Sequence, residues 1–111
     1  MGKLAVGTVV LVTFPFSNLK GQKIRPALVL ANVEFDNLIL CQITSRPYSS
    51  KKAISLETSD FSKGALPIKS FVRPDKLFTA DSTIIKKTAG QLIEKKKKEI
   101  LKKMCRMFLK S

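Results

Sequence analysis

Apolar and polar positions follow two different rhythms along this chain. Up to about residue 91 the apolar residues come in short alternating or continuous runs, broken by glycine, proline and polar clusters. Such runs predict strands. A β-branched stretch at residues 8–14, behind Gly7, predicts the first strand, and residues 15–24 form a long basic loop. Residues 27–31 are apolar on both faces and predict a central strand. A polar turn at 32–37 leads to a third, mostly apolar strand at 38–44. Residues 45–52, with Pro47, serines and three basic residues, form a second exposed loop. Residues 53–57 alternate as a strand, 58–63 are polar, and Gly64 marks a turn. The strand pattern at 66–72 is interrupted by Pro67, which places its start at an edge or bulge. A short extended segment follows at 76–79. Asp81 or Ser82 can cap one helical turn, and residues 86–91 predict the last strand.

From Leu92 to Leu109 the spacing changes. Ile93, Ile100, Leu101, Met104 and Phe108 recur every three or four residues, one face of an amphipathic helix. The lysines at 95–98 fall mainly on its solvent side. A mainly β chain with one C-terminal helix predicts a small, strongly bent barrel or half-open sheet. Periodicity alone leaves an SH3-like barrel and an OB-fold both open.

The chain has 111 residues, the length of one domain (1–111), and needs neither metal nor disulfide to bury a core. Its two cysteines form no disulfide framework and point to a reducing, cytoplasmic setting. No apolar run reaches the ~20 residues that span a bilayer, and no small-x-small cleavage site follows the apolar start. The net charge is +13. Residues 81–111 hold ten basic and three acidic residues and the first eighty hold eleven and five, so positive charge is spread over the domain. That distribution favours a polyanionic partner, a nucleic acid or an acidic protein, over a membrane. There is no histidine. The usual general base, the usual zinc ligand and the Ser-His and Cys-His nucleophiles are therefore excluded. We expect no cofactor and no metal.

Two arginines stand out as chemistry. Arg25 precedes Pro26, which biases it to an extended backbone where a loop meets a strand. A guanidinium held there can read a phosphate through two parallel hydrogen bonds. Arg73 and Asp75 flank Pro74, and two residues apart in a strand they face one side. They read either as a surface ion pair of small worth or as a phosphate ligand beside a general base.

In order along the chain come Gly7-Thr8-Val9-Val10-Leu11-Val12, Phe14-Pro15-Phe16-Ser17, Arg25-Pro26-Ala27-Leu28-Val29-Leu30, Gln42-Ile43-Thr44-Ser45, Val72-Arg73-Pro74-Asp75-Lys76-Leu77 and Gly90-Gln91-Leu92. In this order and spacing they resemble the MazF/PemK toxins over nearly the whole chain. The resemblance implies an SH3-like barrel of the PemK/CcdB kind, forming a homodimer. It implies a metal-independent, sequence-selective endoribonuclease that cuts single-stranded RNA, neutralised by a cognate antitoxin with an acidic segment. Thr8 departs from the acidic residue common after the first glycine, and the histidine that some relatives carry in the first loop is missing.

By the same resemblance the catalytic residues are Arg25, clamping the scissile phosphate, and Thr44, hydrogen-bonding a phosphate oxygen or the 2′-hydroxyl. Arg73 would be a phosphate ligand or acid and Asp75 a base. Lys20, Lys23 and Arg46 would contact phosphates, Tyr48 would stack on a base, and Phe16 would either stack on a base or pack into the core. The loops around Ser17 and Ser45 would set the cleavage sequence. The competing readings are a non-catalytic toxin that binds protein, as CcdB does, and a basic nucleic-acid-binding module without turnover.

Overall fold

The computed structural model describes residues 4–14, 23–46 and 51–110. Seven antiparallel strands form one curled sheet in the order β4-β6-β3-β2-β1-β7-β5. They are β1 (Thr8–Phe14), β2 (Lys23–Val33), β3 (Asn37–Thr44), β4 (Ile54–Leu56), β5 (Phe61–Gly64), β6 (Ser70–Asp81) and β7 (Ile85–Leu92). The chain closes with helix α1 (Glu94–Leu109). This is the mainly β half-barrel with a C-terminal helix that the apolar pattern predicts.

Both sides of the sheet carry apolar clusters, which explains why β2 and β3 read as continuous apolar runs rather than alternating ones. Val9, Leu28, Cys41, Ile43 and Val72 point to one side, where Ile100 and Met104 of α1 cover them. Val10, Val12, Ala27, Val29, Leu38 and Leu40 point to the other, closed by Leu4, Phe78, Ile84 and Ile85. The curl of the sheet lets one layer of strands bury side chains in both directions.

Several elements differ from the sequence expectation. β2 starts at Lys23 rather than at residue 27, carrying Pro26 inside a strand. Pro26 has no N–H to give, and it stands one residue before the β2–β3 ladder begins at Ala27. The segments expected at 66–72 and 76–79 are parts of one strand, β6. Its pairing with β3 jumps from Leu77 opposite Cys41 to Arg73 opposite Gln42, so residues 74–76 form a bulge. Residues 58–63, expected to be irregular, make a short 3₁₀ turn (Thr58–Asp60) and most of β5. β5 runs so close to β7 that Gly64 and Gly90 face each other without side chains. The capping expectation holds: the Asp81 carboxylate accepts from the Thr83 N–H at 2.9 Å, opening a second 3₁₀ turn (Ser82–Ile84).

The start of α1 is tied to the sheet. The Leu92 N–H donates to the Gly7 carbonyl at 3.0 Å and the Ile93 N–H to the Asp60 carbonyl at 2.8 Å. Lys96 departs from the solvent-side expectation. It is only 9 % exposed, with Nζ 3.7 Å from Asp60 Oδ2 and 3.3 Å from Glu99 Oε1. Its aliphatic stem lies along apolar surface while two carboxylates meet the ammonium. Phe108, expected on the buried face, is 60 % exposed because α1 extends past the core. Thr8 is buried, its hydroxyl set between the Ala5 carbonyl (2.6 Å) and the Gln91 side-chain oxygen (2.8 Å).

Candidate active site

A cleft of about 520 Å³ opens at the rim of the sheet, where β2 begins and β3 ends. This is within the usual range for small-ligand sites. Lys23, Ile24, Arg25 and Pro26 line it from β2, and Ile43, Thr44 and Ser45 from the end of β3. Residues 66–68, with Ser70 and Leu11, form the remaining wall. Arg25 and Thr44 therefore both border this hollow at the rim, although by strand alternation their side chains turn to the other side of the sheet from Leu11, Pro26 and Ile43. Arg25 and Thr44 are each half-buried, and Lys23 and Ser45 are exposed at its mouth. Among the described residues no carboxylate pairs with Arg25.

Thr44 is held by its own turn. Its Oγ1 accepts from the Arg46 N–H at 3.0 Å and donates to the Arg46 carbonyl at 3.3 Å. The first contact fixes the side chain as the chain leaves β3. The second is long and correspondingly weak. Arg46 itself is exposed and does not line the cleft.

Arg73 and Asp75 stand outside the cleft but on a related surface. Ala27, Gln42 and Arg73 lie opposite one another across three adjacent strands. Side chains alternate along a strand, so Arg25 and Thr44, two residues from Ala27 and Gln42, point to the same side as Arg73. Val72 and Ile43 point the other way, into the core under α1. Arg73 donates to Asp75 through two nitrogens, Nε to Oδ1 at 3.1 Å and Nη2 to Oδ2 at 2.9 Å. The two residues meet because the bulge at 74–76 brings Asp75 back over Arg73, not through the pleat of a regular strand. Their side chains are 15 % and 32 % exposed. The hydrogen bonds from Arg73 hold the Asp75 carboxyl below its ordinary range, and those to Asp75 raise Arg73 further.

Phe16, Ser17, Lys20 and Tyr48 lie outside the described residues. Sequence reading missed the wall at 66–68, where Ile68 is 64 % exposed, and Ile24, 58 % exposed, across the mouth. Nothing local marks them, because residues 66–68 become cleft residues only through the pairing of β6 with β3, and Ile24 through that of β2 with β1. Among the described residues no three His, Cys, Asp or Glu side chains gather as a metal site, and no helix is long and apolar enough to cross a membrane.

The architecture is shared with solved structures. A MazE–MazF crystal structure (Form-II) from Deinococcus radiodurans superimposes with a TM-score of 0.75 at 20 % identity, covering 96 % of both chains. An endoribonuclease in complex with its cognate antitoxin, from a mycobacterial species, superimposes with 0.68 at 14 % identity, covering 98 % of this chain and 95 % of that one. A second mycobacterial endoribonuclease gives 0.71 at 14 % identity, covering 97 % and 93 %. No curated protein sequence matches the chain. Residues 5–108 match the model of the PemK-like, MazF-like toxins of type II toxin–antitoxin systems, and the chain belongs to that family.

Proposed function

We propose that this protein is a metal-independent, sequence-selective endoribonuclease toxin acting on single-stranded RNA. The observation that carries the reading is the placement of Arg25 and Thr44 at one rim and on one side of the sheet, the side of Arg73, with Lys23 beside them and no carboxylate opposing Arg25 among the described residues. RNA brings its own nucleophile. The 2′-hydroxyl oxygen attacks the adjacent phosphorus and the P–O5′ bond breaks, leaving a 2′,3′-cyclic phosphate and a 5′-hydroxyl. One proton leaves the 2′-oxygen and one reaches the 5′-oxygen. Arg25 binds the non-bridging oxygens and stabilises charge that builds in the transition state. The Thr44 hydroxyl turns from the Arg46 carbonyl to a phosphate oxygen and aligns the attack. Arg73 contributes positive charge beside the cleft, oriented by Asp75. A carboxyl held below its usual range is a weak base at neutral pH, so we assign Asp75 to positioning.

Lys23 and Arg46, with Lys20, bind flanking phosphates, while Phe16 and Tyr48 stack on bases and Ser17 and Ser45 belong to the loops that select sequence. The protein acts as a homodimer and is neutralised by an antitoxin with an acidic segment. Incubation of pure protein with a long single-stranded RNA in EDTA, followed by mapping of the new ends, tests the reading. Discrete cuts with cyclic-phosphate ends are expected, and Arg25→Ala and Thr44→Ala should each abolish them while keeping the fold. Binding without cuts would replace this reading with that of a plain nucleic-acid-binding module. Wild-type rates in both variants would remove the two assignments.

A further inference from the structure

Phe71, in β6, is an aromatic residue that neither core uses. Phe61 and Phe78 pack against the two apolar clusters of the sheet, and Phe71 belongs to neither. Phe35 stands in the turn between β2 and β3, and Phe108 lies near the end of α1. Phe71 instead lies on a face of the sheet among polar side chains. It pairs with Thr44 of β3 on one side and with Ser55 of β4 on the other. Two residues further along β6, Arg73 points to the same side. Two residues before it, Lys69 sets its Nζ 5.9 Å from the ring centroid. Arg25 and Thr44 point to this side as well, so the ring lies beside the proposed catalytic groups. It is half-buried. Cross-strand contact with Thr44 and Ser55 gives the ring a modest packing role. That does not account for a large apolar side chain set among four polar ones.

We propose that Phe71 is a stacking platform for the base of a nucleotide next to the scissile phosphate. Single-stranded RNA exposes its rings, and aromatic side chains on a sheet surface are a recurrent place to stack them. Paired residues on adjacent strands stand about 5 Å apart at Cβ, so a phosphate oxygen held by Thr44 lies within one nucleotide of the Phe71 ring. Lys69 shows that the ring is reachable by a group from solvent. Its Nζ meets Glu57 Oε1 at 3.3 Å, and the two side chains are 60 % and 54 % exposed. An ion pair so exposed is worth little. Lys69 therefore yields the ring to a base and stays close to the flanking phosphate. Stacking accepts any base, so Phe71 binds and positions the strand without choosing its sequence, and it touches no reacting atom. The inference rests on the proposed nuclease reading in taking the side of the sheet that carries Arg25, Thr44 and Arg73 as the RNA surface.

Fluorescence anisotropy on the full chain tests it. The probe is a labelled, short single-stranded RNA pool of randomised sequence, 2′-fluoro throughout, so that no 2′-hydroxyl is present to attack. Phe71→Leu keeps an apolar side chain and should weaken binding about fivefold or more, the loss of one stacked base. Phe71→Tyr keeps the ring and should bind within about twofold of wild type. The slope of log affinity against log salt should be the same in Phe71→Leu as in wild type, because no phosphate contact is lost. Wild-type affinity in Phe71→Leu overturns the proposal. Equal weakening in the Leu and Tyr variants overturns it too, since it makes Phe71 a packing residue. So does a flattened salt slope in Phe71→Leu, which would mean that the cations had been displaced. Mapping of cuts in a long RNA separates the two readings. Cuts by the wild type with undiminished binding by Phe71→Leu end this inference alone. Ring-dependent binding without cuts ends the nuclease reading alone, and no binding by the wild type ends both.

Discussion

Asp75→Asn separates a proton acceptor from a positioning group, because the neutral isostere keeps the shape and one acceptor for Arg73. The wild-type contact is bidentate, 3.1 and 2.9 Å, between side chains 15 % and 32 % exposed. Pairs of this exposure contribute up to about 1 kcal/mol, so the melting temperature should fall by about 4 °C in a chain of this size. The same loss felt in the transition state would slow cleavage about fivefold. Loss of a general base would instead cost about 10²–10⁴-fold. The pH dependence gives a second readout. Asp75 has a folded pKa depressed below the ordinary 3.8, first through its hydrogen bonds from Arg73. Its stabilisation is therefore present above the unfolded value and lost as pH falls through the folded one. The wild-type advantage in melting temperature should be complete at pH 6 and vanish in strong acid. Single-turnover cleavage of a short RNA across pH 5–9, well above the range in which Asp75 titrates, should run parallel in both proteins. A loss beyond a hundredfold in Asp75→Asn, with the fold and melting temperature otherwise as expected, would refute the positioning role and make Asp75 the base.

The remaining predictions concern the scaffold and its charge. Ile100→Ala removes a fully buried side chain from the core under α1; it should cost about 2–5 kcal/mol by urea denaturation, and a smaller loss would mean that α1 is loosely docked. Gly64 has φ +67°, and a Cβ there would overlap the Ala89 carbonyl oxygen and sit 2.8 Å from Gly90 Cα. Gly64→Ala should therefore detach edge strand β5, read as faster hydrogen exchange at residues 61–64, with α1 protected as before. Cys41 is fully buried and its thiol is pushed up to about 12 by burial, whereas Cys105 is exposed. At pH 8 one thiol should react with a disulfide reagent in the folded protein and two in denaturant; two fast thiols in the folded state would contradict the described core. If Lys20, Lys23, Arg25 and Arg46 each neutralise a phosphate, the slope of log affinity against log salt should be about −3 for single-stranded RNA, and Arg46→Ala should flatten it by about 0.7. A salt-independent affinity would assign this charge to another partner.

What the sequence made legible was what short-range pattern controls. β1 emerges with its expected bounds because a β-branched run follows Gly7, whose φ of +96° turns the chain into the strand. The helix was readable because Ile100 and Met104 repeat at helical spacing and are both buried. What stayed hidden depends on distant partners. Lys96 looks like a solvated lysine among four, and besides the local Glu99 a distant carboxylate, Asp60 from the 3₁₀ turn before β5, meets its buried ammonium. β5 has polar residues and no strand pattern, and it pairs because two glycines let β5 and β7 approach.

The proposed functional surface divides in the same way. Arg25 and Thr44 carry their own signals, one beside a proline and one closing a strand, but neither signal says that they meet. They meet because antiparallel pairing of β2 with β3 puts the start of one strand beside the end of the other. Arg73 joins their side of the sheet through its pairing with Gln42, and the bulge after it swings Asp75 into reach while turning Pro74 toward α1. A deletion that regularised residues 74–76 would therefore disturb two surfaces at once, the Arg73–Asp75 pair and the side of Pro74 that faces the C-terminal half of α1. Point substitutions at either surface should act on one alone, and that separation follows from the alternation of side chains across a single bent strand.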